Sequence, residues 1–335
     1  MGERNNIAAI KKGITSNIRE IGLVLVILII SVFVQLRSQG HFLTPENINN
    51  IFVETAVLAI LSVGMMMVII TRGIDLSIGA TMALSGMAGT TFLKSHIDTN
   101  PLIIILIAVA VGAICGVLIG FLVARLRIPP IIATLGMMNV YRGLTYLVSN
   151  GSWVLQKDMS VNFMAIATNR FLGINNLIWV AITIYVIAYI FLNYIKTGRK
   201  IYAVGNSPES AKVSGINNER ILTLVYTIMG AIAGLAGILY VCKYAVAQGE
   251  TASGYEMSVI AACVLGGVSI SGGTGKVQGV LLGAILFGIL NNAMPLIHIS
   301  AFWQEAIRGL IILISVILNA VIQRNVQKKA LQRRV

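Results

Sequence analysis

The chain has 335 residues, 57% of them hydrophobic and 11% charged, with mean hydropathy +0.87. No soluble domain of this size needs so much apolar surface, and several apolar runs exceed the roughly 18–20 residues that span a bilayer. The chain therefore reads as one polytopic membrane domain, 1–335, all-α because lipid offers a spanning backbone no outside partner. A formal charge of +13 would suit a nucleic-acid partner. The basic residues instead gather at the ends of apolar runs, as membrane topology requires, so no nucleic acid is expected.

The basic leader 1–19 (Arg4, Lys11, Lys12, Arg19) has no cleavable apolar core and should stay in the cytoplasm. Ten hydrophobic segments follow, at roughly 20–38, 51–70, 75–93, 101–124, 129–148, 176–195, 221–242, 256–271, 277–294 and 302–322. An even count returns the basic tail 323–335 to the cytoplasm. In that orientation 18 of the 25 Lys and Arg residues lie inside, five outside and two within spans.

Asp75 opens the third segment and Glu256 the eighth, and a carboxylate there caps a helix N-terminus ahead of touching a solute. Both sit in an internal echo: Gly73-Ile-Asp-Leu-Ser-Ile78 matches Gly254-Tyr-Glu-Met-Ser-Val259 residue class by residue class. Paired, glycine-interrupted segments point to an inverted repeat with broken helices around a midplane path. Arg142 lies inside a span with Asn139 one short helical step away, either as a structural hydrogen-bond pair or as a contact for a solute. The outer loop 149–175 either meets an external partner or lies on the membrane through Trp153 and Phe163; both readings stand. Asn291, Asn292 and Gln304 add neutral polar groups towards the outer half, suited to an uncharged hydroxylated solute.

Between the sixth and seventh segments lies a polar island, 196–221, with five basic residues: Lys196, Arg199, Lys200, Lys212 and Arg220. Within it is a complete short-helix signal over 208–214. Ser207 caps, Pro208 suits the first turn, Glu209 faces the positive end of the dipole, and Gly215 stops the helix. Ser210, Ala211, Lys212 and Ser214 complete the element. A capped helix on a cytoplasmic loop is there to be presented to something.

Other features are scaffold or decoys. Gly112, Gly116 and Gly120, Gly230 with Gly234, and Gly279 with Gly283 have the small-xxx-small spacing of tight helix packing. Cys115, Cys242 and Cys263 stand singly and read as packing residues, and His41, His96 and His298 are scattered, so no metal site is expected. Ile270-Ser-Gly-Gly-Thr274 and Gly275-Lys276 faintly echo ATPase motifs. Residue 277 is Val, however, and a phosphate loop would need glycine at 270.

The island, the Gly-Ile-Asp-Leu-Ser-Ile-Gly stretch 73–79 and the stretch 260–273 carry a resemblance. So do Ile132–Gly136 with Tyr141-Arg142-Gly143, and Ala203–Gly205 leading to Ser214–Ile216. Over about 20–322 the chain resembles the permease subunits of bacterial ABC importers for monosaccharides, the ribose, xylose and galactose type that includes autoinducer-2 permeases. Ser207 stands where asparagine is common in that family, and serine caps about as well. The resemblance implies a bacterial inner-membrane subunit, not itself an enzyme. It would pair with a second permease, an ATP-binding subunit that holds the ATP and Mg, and an extracytoplasmic sugar-binding protein. It implies that helix 208–214 docks in the ATPase. A nucleoside, a branched-chain amino acid or autoinducer-2 is the alternative cargo, and a stand-alone secondary carrier the rival from another class.

Overall fold

The computed structural model describes residues 18–332. Arg4, Lys11 and Lys12 of the leader and Arg333 and Arg334 of the tail lie outside the described residues. Five helices come first: α1 (Ile18–Arg37), α2 (Pro45–Ile70), α3 (Ile78–Ser95), α4 (Pro101–Gly120) and α5 (Pro130–Ser149). A π-helical turn, Phe121–Arg125, extends α4. The loop beyond α5 holds β1 (Val154–Leu155), α6 (Val161–Thr168), β2 (Arg170–Phe171) and β3 (Ile174–Asn175). Then come α7 (Asn176–Tyr194), the helix pair α8 (Lys196–Asn206) and α9 (Pro208–Val213), and α10 (Asn218–Tyr244). Strand β4 (Val246–Ala247), α11 (Tyr255–Leu265), α12 (Val277–Leu296) and α13 (Ala301–Gln332) complete the chain.

Local sequence explains where the helices begin. Thr44, Asn100 and Asn175 each accept a hydrogen bond from a first-turn amide, and Pro45 and Pro101 occupy first-turn positions that need no N–H. Among the described residues seven helices are long and apolar enough to cross a membrane: α1, α2, α4 with its extension, α5, α7, α10 and α12. The eighth predicted span, 256–271, is corrected. Only α11, 11 residues, is helical, and the chain continues irregularly to Lys276 through Gly267, Gly272 and Gly273, all at positive φ. A left-handed backbone cannot propagate a helix.

The bundle is organised around α2, in which every residue from Thr55 to Ile70 is buried. A helix apolar on all sides belongs at a centre rather than a surface. The packing is reciprocal. α10 lies along α4 while α2 lies along α12, and α5 packs on α3 as α13 packs on α11. Segments α2–α5 and α10–α13 thus correspond one to one, and their first members run antiparallel, with Glu54 in the first half of α2 bonded to Lys243 and Tyr244 at the end of α10, as inverted repeats require. Glycines allow the closest of these approaches, with Gly112 and Gly116 against Gly230 and Gly234. The three cysteines are buried.

Strand β1 pairs with β4, Val154 opposite Ala247, and so ties the loop after α5 to the segment before α11. Phe163 is fully buried, with Cys242 Sγ donating to its carbonyl, and is a core residue rather than a membrane anchor. Trp153 is exposed.

Candidate functional site

Two regions, at opposite ends of α10, gather the functional side chains. The first is the island. Ser207 Oγ accepts from the Ser210 amide at 3.2 Å and Pro208 fills the first turn of α9. Gly215, at φ +77°, closes the helix, with its amide on the Lys212 carbonyl and the Ile216 amide on that of Ala211. Ala211 is buried and fastens α9 to the body, as does Asn218 Nδ2, which donates to the Pro208 carbonyl at 2.8 Å. Glu209, Ser210, Lys212, Ser214 and Gly215 are exposed. Beside them stands Val213, 91% exposed, an apolar knob on an otherwise polar face. Its signal was available: the helix signal has one large aliphatic side chain, and burying Ala211 turns that side chain outward.

The island also holds a second helix, α8, where the sequence suggested only polar loop. Gly198 and Gly205 disguised it. A Cβ on Gly198 would strike the Phe191 carbonyl and one on Gly205 the Ile70 carbonyl, so both glycines serve close backbone contact rather than a turn.

The second region lies at the far end of α10, about 40 Å away along its 27 residues. Here a cavity of about 1210 Å³ is lined from α2, α10, α11, α12, α13 and the loop before α11. Asn291, Asn292 and Gln304 are in its wall. Tyr240 packs against Tyr244 with ring centroids 4.5 Å apart and edge-on against Tyr255 at 5.7 Å. Glu54 takes an ion pair from Lys243 at 2.7 Å and the Tyr244 hydroxyl at 2.9 Å. Arg308 donates Nε to Asn291 Oδ1 at 2.9 Å, and Asn292 exchanges amide hydrogen bonds with Asn47 at 3.0 Å. Gln304 donates to the Ile299 carbonyl. Aromatic faces beside amides, with three carboxylates (Glu54, Glu250 and Glu305) in the same wall, match a molecule with apolar C–H faces and a rim of hydroxyls.

The remaining predicted path residues are Asp75, Glu256, Asn139 and Arg142. Asp75 is buried, and its Oδ1 accepts both the amide (2.9 Å) and the hydroxyl (2.7 Å) of Ser77, the residue before α3. Glu256, in the first turn of α11, comes close to the start of α3: a Cβ on Gly79 would lie 2.9 Å from its Oε2. The two echo motifs therefore converge, although out of register, since α3 starts at the last residue of its motif, Ile78, and α11 at the second residue of its own, Tyr255.

Arg142 does not pair with Asn139, which donates to Leu135 on its own helix and is exposed. One nitrogen of Arg142, Nη1, donates to the carbonyls of both Gly249 and Thr251 at 2.7 Å. Tyr146, one turn on, donates to Glu250 Oε1 at 2.9 Å. Helix α5 thus grips the loop that leads into α11, a loop that turns through the left-handed Ala252 and Gly254.

A family model described as "Branched-chain amino acid transport system / permease component" matches residues 47–316, from the first turn of α2 into α13. The chain belongs to this permease family. The permease is 37% identical over 298 residues to the ribose import permease protein of Escherichia coli strain K12, covering 88% of this chain and 92% of that protein. It is 33% identical over 326 residues to the L-arabinose ABC transporter permease protein of Azospirillum brasilense, covering 97% and 94%. Similarity to the autoinducer 2 import system permease protein of Salmonella typhi is 31% over 310 residues, covering 91% and 88%. No solved structure matches the permease. It is a multi-pass membrane protein of the transport-permease type, and the matched range contains α9 and both repeats except the first two residues of α2 and the end of α13.

Proposed function

We propose that the permease is the membrane-spanning subunit of an ATP-driven importer for a small, ribose-like sugar. The observation that carries this reading is the near end-to-end similarity to ribose and arabinose permeases, joined to a cavity whose wall offers tyrosine faces and amides to a hydroxylated solute. An extracytoplasmic binding protein delivers the sugar at the cavity end. ATP and Mg are bound by a separate ATP-binding subunit, which receives α9 with Val213 as the apolar anchor and Glu209, Ser210, Lys212, Ser214 and Gly215 around it. A second permease, identical or related, completes the membrane unit. Asp75, Arg142 and Glu256 belong to the path by shaping and supporting it, Asn139 lies on the same helix as Arg142 without a bond to it, and Asn291, Asn292 and Gln304 face the solute. The island lies in the cytoplasm with both chain termini.

The test is uptake of radiolabelled ribose by proteoliposomes holding the complete transporter, with the binding protein added. Val213→Asp should lower ATP-dependent uptake at least about tenfold, since a desolvated apolar anchor contributes 2 kcal/mol or more to an interface. The variant should reach the membrane in normal amount but lose its ATP-binding subunit on purification. Normal uptake by Val213→Asp would refute α9 as the docking helix, and uptake abolished by an uncoupler and indifferent to ATP would refute the importer reading in favour of a secondary carrier.

A further inference from the structure

Three stretches distant in sequence meet where α8 ends. Arg72 follows α2 at φ +66° and sends Nε to the Gly205 carbonyl at 2.8 Å and Nη2 to the Asn206 carbonyl at 2.7 Å. Both acceptors lie in the last turn of α8, where carbonyls lack helical partners, so the guanidinium is a C-terminal cap supplied by another helix. Gly273, between α11 and α12, donates its amide to the Ile70 carbonyl at 2.9 Å. Tyr202 of α8 donates its hydroxyl to the Gly275 carbonyl at 2.9 Å. Burial pushes that hydroxyl up to about 12, so it remains a donor at any physiological pH.

Glycine makes the junction possible. A Cβ on Gly205 would run into the Ile70 carbonyl, one on Gly272 into the Arg72 side chain, and one on Gly273 into that of Asn206. With the Gly205 backbone against the Ile70 carbonyl and the Arg72 and Asn206 side chains against Gly272 and Gly273, the junction is close-packed and has little slack to absorb a displacement. Two of its three members are the connections that interrupt the repeats: 71–77 leads into α3, and 266–276 follows α11. The helices on those connections are the pair that meet at Gly79 and Glu256.

We propose that Arg72 and Tyr202 are positioning residues of transport, locking the α8–α9 pair to both helix breaks so that a displacement of α9 moves the breaks with it. The inference rests on α9 being the ATPase-docking helix, but it concerns different residues, whose bonds are all internal to the permease. A rigid junction turns a push on one helix into a choice between two packed arrangements, the physical requirement for coupling distant sites.

The test uses the complete reconstituted transporter, with ribose as cargo. Arg72→Ala should keep its ATP-binding subunit and still hydrolyse ATP, while ribose moved per ATP falls about tenfold, within the range of measured coupling. Arg72→Lys should recover part of the ratio, since an ammonium reaches fewer carbonyls than the planar fork. Spin labels at Lys200→Cys on α8 and Thr274→Cys, both exposed positions outside the docking surface, read the junction directly. Their separation should be the same without nucleotide and with ATP trapped, and should become nucleotide-dependent in Arg72→Ala.

An unchanged ribose-to-ATP ratio with a constant label distance in Arg72→Ala overturns the proposal. Loss of the ATP-binding subunit from that variant does so too, because it would place Arg72 in the docking surface. If Arg72→Ala does not insert, Tyr202→Phe, which removes one hydroxyl, is read by the same ratio and labels with the same criteria. Retention of the ATP-binding subunit by Val213→Asp would instead refute the docking of α9 while the label distances still report on the junction.

Discussion

Arg142 shows how a charged residue inside a bundle can be structural without an acidic partner in contact. Its two 2.7 Å bonds go to backbone carbonyls that α5 would otherwise leave bare in the loop before α11. Hydrogen bonds from a charged donor contribute about 1.5–3 kcal/mol each, and removing the donor strands two acceptors. Arg142→Ala should therefore destabilise the permease by about 2–4 kcal/mol. Arg142→Lys should recover some of this, since an ammonium can meet a carbonyl but lacks the fixed fork. Thermal unfolding in detergent measures it, and an unchanged melting temperature would show that the loop is held by Tyr146 and Glu250 instead. The neighbouring Asn139 carries no such load: it bonds within its own turn, so Asn139→Ala serves as the neutral control.

At the scale of elements, helix contacts here are made by what side chains leave out. Gly230 faces Gly112 and Gly116 so closely that an added Cβ would lie 2.8 Å from the Gly116 Cα, with backbone rather than a flexible side chain in the way. Gly230→Ala must then push α10 off α4, costing about 1–3 kcal/mol by the measure of overpacked cores. Gly136→Ala on α5, with nothing within 4 Å, should cost nothing of the kind. Equal melting temperatures for the two variants would contradict this account. The same glycines explain what could be read from sequence. Helix α9 was legible to within a residue because Ser207, Pro208 and Gly215 act locally, through caps and φ. Helix α8 was not, because Gly198 and Gly205 answer to Phe191 and Ile70, far away in the chain or across a helix end. For the same reason α11 looked longer than it is: 266–271 is apolar enough for a span, but Gly267 takes a left-handed backbone. The polar residues Asn291, Asn292 and Gln304 were legible as a group, whereas Tyr240, Tyr244 and Tyr255 became a cavity wall only once α10 and α11 were packed together.

For the whole molecule, the inverted repeats leave orientation to charge. The five basic residues of the island, Lys196, Arg199, Lys200, Lys212 and Arg220, are exposed and make no ion pair among the described residues. At the opposite end, Lys94 pairs with Asp158 at 3.4 Å and Lys243 with Glu54 at 2.7 Å, which cancels two positive charges. Lys276 pairs with Glu20 at 2.8 Å, but the island's five charges stand uncancelled; membrane proteins keep such positive charge on the cytoplasmic side, where the leaflet is anionic, so the island should lie inside and the β2–β3 hairpin outside. Single-cysteine labelling can decide it without background, because Cys115, Cys242 and Cys263 are all buried. Val213→Cys (91% exposed in the wild type) should react with a membrane-impermeant maleimide only in inverted vesicles, and Leu172→Cys (77%) only in intact cells. The reverse pattern would place the cavity at the cytoplasm and make an importer that receives its solute outside untenable. Adding the ATP-binding subunit to the inverted vesicles sharpens the result: protection of Val213→Cys, with a control cysteine at Arg220 still reactive, would map the docking surface onto α9 itself rather than onto basic charge in general.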